Sequence, residues 1–121
     1  MKAYRIRNWD KVYEIAQSRR IKKMSWVSMP TELGGSGYHY IRRHGRATDL
    51  FAAWTLILRV AARMKTRGLL VSDSGRPLTA SDLADETRFP VELFEFALTE
   101  LCKPTLNWLE KVEDWDAMSV L

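Results

Sequence analysis

A strand, two short helices and a second strand over Gly68–Val112, with a long amphipathic pattern before them at Thr48–Arg67, predict a mainly α fold with a small β wing. That order is a winged helix-turn-helix, here preceded by an N-terminal helical and extended arm. With 121 residues, 46% of them hydrophobic and five of them Trp, the chain is long and apolar enough to fold as one domain on its own core. Residues 1–46 read as a basic arm, 47–112 as the winged-helix core and 113–121 as an acidic tail.

Taken in order, Ala3–Trp9 alternates apolar residues with Arg5 and Arg7, as a short edge strand would. From Trp9 the period becomes helical. Trp9, Val12, Tyr13 and Ala16 share a face, Asn8 offers a cap, and the helix is expected to reach about Ser18. Met24–Pro30 reads as extended with Trp26 as an anchor, and Gly34-Gly35-Ser36-Gly37 as a turn. A phosphate loop would need a Lys-Ser/Thr after those glycines and a strand before them. Thr48–Arg67 carries Leu50, Trp54, Ile57, Ala61 and Met64 on one face, widened by Phe51 and Leu58, with Gly68 placed to end it. Thr55, Arg59, Arg63 and Arg67 recur on the other side as a solvated flank.

Leu69–Val71 suits a short buried strand, followed by the polar turn Ser72–Pro77. Thr79 with Asp82 has the form of a capping box, so a helix begins near Ala80. It ends near Thr87, because Phe89 precedes Pro90. Pro90 opens the last helix, which places Val91, Phe94, Leu98 and Leu101 on one face and stops before Pro104. Trp108–Val112 is the strand expected to pair with Leu69–Val71, and Trp115 in the acidic tail is a further candidate for docking.

Charge is strongly divided. Residues 1–68 hold 15 Lys/Arg against 4 Asp/Glu, a balance of +11; residues 69–121 hold 4 against 11, a balance of −7. Such a chain offers one surface to a polyanion and another to a different partner, unless its halves neutralise each other. Cys102 is the only cysteine, which excludes an internal disulfide and argues for a reducing compartment. The N-terminus lacks the apolar core of a secretory signal, and the longest apolar run, Leu50–Leu58, falls short of a membrane span, so a cytoplasmic protein without membrane contact is expected.

Catalysis finds no constellation to carry it. His39 and His44 are too few for a metal site, Asp82, Asp85 and Glu86 suit a helix start better than a two-metal centre, and no Ser or Cys has a recognisable base. No metal or cofactor is implied. For DNA the expected phosphate grips are Arg19, Arg20, Lys22, Lys23, Arg42, Arg43 and Arg46. Arg88 is the base-reading candidate at the start of the last helix, with Arg76 in the preceding turn. Glu92 and Glu95 on the outward face of that helix oppose phosphates. Tyr38 and Tyr40, beside Arg42, suit stacking on unpaired bases and ordinary packing equally well.

The chain also resembles the winged-helix N-terminal domain of phage and prophage replication proteins, the replisome-organiser-like group. The matching words run from Trp9-Asp10, Tyr13-Glu14 and Ala16–Arg19 through Trp26-Val27 and Pro30 to Arg67–Val71. Gly75–Ala80, Asp82–Ala84, Thr87–Pro90 and Trp108–Glu110 continue them. The resemblance implies a place in DNA replication or its initiation, where such domains bind DNA, oligomerise, or both. Relatives carry a further C-terminal region, so this sequence reads as a small version or a truncated relative; Lys103–Leu106 also replaces an expected short hydrophobic link. Two functions stay open. One is a DNA-binding protein of phage replication, on duplex or single strands. The other is a non-catalytic protein-interaction module, self-associating or a small phage effector acting on a host protein or nucleoprotein complex; a replication or host protein is the partner expected beside DNA.

Overall fold

The structure, a computed structural model, describes residues 2–30, 33–113 and 115, so most of the acidic tail expected at 113–121 lies outside the described residues. It is mainly helical, with a small two-stranded antiparallel sheet. The elements are β1 (Ala3–Ile6), α1 (Trp9–Val12), α2 (Ala16–Arg19), α3 (Ser36–Arg43), α4 (Ala47–Ala62), α5 (Ala80–Thr87), α6 (Val91–Leu101) and β2 (Leu109–Val112). One core joins them, with Phe94, Leu50, Ile57, Leu58, Leu70, Leu83, Leu101 and Leu109 fully buried.

The strand pairing differs from the expected one. β2 pairs with β1, Ala3 opposite Val112 and Ile6 opposite Leu109, and Leu69–Val71 forms no ladder with it. Instead the other side of β1 meets that segment: the Leu70 amide donates to the Tyr4 carbonyl at 2.8 Å and the Ile6 amide to the Gly68 carbonyl at 2.7 Å. β1 is therefore an interior strand, not an edge. Both neighbours need a partner for their backbone groups, and β1, with Ala3 and Ile6 buried, serves the two at once. Arg5 and Glu110 face each other across the β1–β2 ladder and form an ion pair at 3.3 Å.

The first expected helix is broken into α1 and α2. Trp9 and Glu14 explain why, since the Trp9 indole Nε1 donates to the Glu14 carboxylate at 2.9 Å. On an unbroken helix five positions put two side chains about 140° apart, so they could not meet. After the break, Ser18 Oγ accepts the Ile15 amide at 2.8 Å, and the Ser18 hydroxyl lies 2.9 Å from Glu14. Asn8 makes no side-chain cap; its backbone is left-handed, at φ 58°.

α4 starts one residue before the expected position and stops at Ala62, five short of Arg67. The Gly68 amide reaches back to the Ala61 carbonyl at 3.1 Å, with Gly68 at φ +89°. A Cβ at Gly68 would stand 2.6 Å from the Trp9 ring, so close approach fixes glycine there as firmly as conformation does. Leu50, Trp54, Ile57, Leu58 and Ala61 are buried as expected, while Phe51 stays exposed.

Gly35–Gly37 is more than a turn. Gly35 caps α3, which takes up the aromatic and basic segment Tyr38–Arg43. Gly37 lies flat against Trp108, whose ring leaves no room for a Cβ. Trp26 is 57% exposed and anchors nothing. In the second half the strand expected at Leu69–Val71 is only a pair of isolated bridges, at Leu69 and Val71, while the two helices and the strand after them appear close to where expected. Thr79 and Asp82 close a reciprocal capping box on α5, and α6 begins directly after Pro90. Its buried face is Leu93, Phe94, Ala97, Leu98 and Leu101; Val91 is exposed. Trp115 docks through its indole Nε1 on the Gly75 carbonyl at 2.9 Å.

Candidate nucleic-acid interface

The nine basic residues singled out in the sequence fall into two groups. Arg46 and Arg76 are committed to carboxylates. Arg46 clamps Glu92 with two hydrogen bonds, at 2.7 and 3.2 Å, bonds Asp49 at 3.1 Å and lies 4.0 Å above the Phe96 ring. Arg76 holds Asp82 in the same two-pronged way, at 2.8 and 3.2 Å. The Arg76 guanidinium, with the Thr79 backbone, holds the Asp82 carboxyl down to about 2.

Arg19, Arg20, Lys22, Lys23, Arg42, Arg43 and Arg88 are exposed, with no carboxylate partner among the described residues. Arg19 does bond the Asp10 carbonyl at 2.8 Å, which holds it against α1. Arg88 ends α5 in the left-handed conformation at φ 62°, a place where glycine is the unstrained choice.

Arg67 decides where the first basic segment sits. Far from being a solvated flank, it bonds Glu14 at 3.2 Å, the Ile21 carbonyl at 2.6 Å and the Ser18 carbonyl at 2.8 Å. Burial pushes the Glu14 carboxyl up, but donors on Trp9, Ser18 and Arg67 outweigh it and hold the group below its ordinary range. The effect is to pin the segment bearing Arg19, Arg20, Lys22 and Lys23 beside the exit of α4, where Arg63 and Lys65 are also exposed. Arg42 and Arg43 end α3, a short link before the start of α4. The two basic clusters therefore lie at opposite ends of a helix 16 residues long, about 24 Å at the usual rise.

The far end of α3 is bolted to α6. Tyr40 donates to Glu100 at 3.3 Å, His44 stands 3.7 Å from the same carboxylate, and Arg46 follows with its Glu92 clamp. Tyr40 thus serves packing. Tyr38 does not: with Phe51 edge-on at 6.4 Å, it lines a cleft of about 360 Å³. Trp54 and Trp108, 5.1 Å apart, stand in the same lining, and Arg7 and Asn8 bring polar groups to it. None of the nine expected basic residues lines this cleft. Sequence reasoning missed it because its walls come from four separate segments, and Phe51 looked like core.

Among the described residues, no three His, Cys, Asp or Glu side chains converge as a metal site would require, and no helix is long and apolar enough to cross a membrane. Comparison with protein families, curated proteins and solved structures finds no match to this chain.

Proposed function

We propose that this chain is a non-catalytic, winged-helix DNA-binding protein of phage or prophage DNA replication, acting in the cytoplasm and gripping the phosphate backbone mainly through its basic N-terminal half. The observation that carries the reading is the division of the nine arginines and lysines. Two neutralise acids of the same fold, and seven stand exposed without such partners among the described residues. Charges left unpaired on a folded surface are what a polyanion engages through counterion release. The Arg46 clamp adds to this, because it neutralises Glu92, one of the two acids that otherwise repel phosphates from α6. The link to replication is supported by the sequence words from Trp9 to Glu110.

Fluorescence-anisotropy titration with duplex and single-stranded DNA at two salt concentrations tests this. Seven phosphate contacts on duplex DNA give a salt slope of about −6. Absence of binding to either form at low salt refutes the reading. A second reading has its own observation. Phe89 and Val91 are 46% and 40% exposed, and Asp85, Glu86 and Glu95 on the helices before and after them are exposed too; apolar and acidic groups of this kind suit a protein partner or the basic half of a second copy. Salt-sensitive self-association without DNA affinity favours it.

A further inference from the structure

The cleft between the N-terminal segment, α3 and α4 is lined partly by core residues, Tyr13 and Trp54, and by none of the nine basic residues singled out above. Tyr38 and Phe51 form its accessible aromatic wall, Phe51 being 36% exposed. Trp54 and Trp108 stand behind them, and Gly37, pressed against Trp108, holds that ring in place. Small-molecule sites run from about 300 to 1,000 Å³. At about 360 Å³ this cleft fits one ring system and its attachment. A docking helix or strand would need a longer groove.

Its polar features select the ring. Arg7 is the only charged residue among the described lining residues. Asn8, held at φ 58°, makes no side-chain cap, so its amide can both donate and accept at the edge of a base. Arg42 lies one helical turn beyond Tyr38 on the same face of α3, exposed and without a carboxylate partner among the described residues. An aromatic wall with one cation in its lining and another one turn along the same helix is an arrangement that stacks a base and attracts the phosphates flanking it.

We infer that this cleft takes one unstacked nucleobase from single-stranded DNA, with Arg7 and Arg42 on the adjacent phosphates. The inference rests on the DNA-binding reading above and adds a preference between DNA forms that the basic clusters alone do not supply. In a duplex every base is stacked and paired, so the cleft is closed to it unless a base is extruded.

The test is anisotropy with a labelled oligothymidylate and a labelled duplex of equal length, on the native chain, Phe51→Ala and Arg7→Gln. Loss of the stacking wall in Phe51→Ala should weaken single-strand binding by about 5- to 150-fold and leave duplex binding unchanged. Arg7→Gln should flatten the single-strand salt slope by about 0.7. Because Arg7 is exposed and outside the core, that variant keeps the test decisive if Phe51→Ala disturbs folding. Unchanged single-strand binding in both variants overturns the base site and leaves the backbone grip standing; a cleft that seats an apolar side chain of a protein gives this result. Equal losses on both DNA forms overturn it as well. A native chain that binds neither form removes the DNA reading and this inference together.

Discussion

Arg67→Met gives the most informative test of how the N-terminal half is held. The guanidinium is 12% exposed and its partner Glu14 only 5%, so both charges lie largely out of water. Removing one member of such a pair costs about 3–5 kcal/mol, because the remaining charge stays buried without compensation. Glu14 keeps donors on Trp9 and Ser18, which places the expectation near the low end, about 3 kcal/mol. The Ser18 and Ile21 carbonyls lose a partner too; water can replace it at Ile21, whereas Ser18 is buried and adds to the cost. For a chain of this size 1 kcal/mol shifts the melting temperature by about 4 °C, so the variant should melt about 12 °C lower. Urea unfolding followed by circular dichroism measures the loss directly. The double variant Glu14→Leu/Arg67→Met should recover a good part of it, since no charge is then stranded. A single variant as stable as the native chain would show that Arg67 does not hold α1, α2 and the basic segment in place. The pH dependence has a definite sign. Glu14 is held below its unfolded value of about 4.5, so its contribution is complete above that pH and fades as pH falls through the folded value.

Trp54 is 3% exposed and packs on Trp108, so Trp54→Ala should cost about 3–5 kcal/mol in urea unfolding. Replacing Arg19, Arg20, Lys22 and Lys23 by Ala should leave the domain folded, at the cost of the exposed Arg19 bond to the Asp10 carbonyl, and flatten the duplex salt slope by about 0.9 for each lost phosphate contact. Thr79→Ala removes the cap of α5 and should cost about 1 kcal/mol; stability linked to Asp82, complete above about pH 4 and lost as pH falls toward 2, should shrink in the same variant. Arg88→Gly and Arg88→Ala should lose DNA affinity equally, while the Gly variant is more stable than the Ala variant by about 1 kcal/mol because φ there is 62°.

The second half of the chain was legible because its signals are local. Thr79 with Asp82, and Pro90 at the start of α6, each act within one helical turn, and the elements they mark begin where expected. The first half depends on contacts that sequence spacing does not encode. Glu14 and Arg67 meet across 53 positions, and Glu14 also takes the Trp9 indole, a contact that an unbroken first helix would not allow. β1 looked like an edge because alternation in one strand says nothing about how many neighbours it has. Val91 and Phe51 matched an apolar period and still face outward, since a helical face is wider than the core that receives it. The basic residues were identifiable one by one. Their pairing was not, because Arg46, at the start of α4, finds Glu92 only after α4 and α6 have packed.

That packing ties the two candidate DNA surfaces to each other. α3 carries Tyr38 and the cleft at its start. Toward its end come Tyr40, then His44 and Arg46 just beyond, all fastened to Glu92, Phe96 and Glu100 on α6. Arg88 stands immediately before α6, on the other side of Pro90. Any tilt of α6 against DNA must therefore be shared by α3 or break at least one of these contacts, and the Arg46–Glu92 fork is the most directional of them. An exposed pair contributes little to folding stability. Its value is geometric: it ties the start of α4, just after α3, to the first turn of α6.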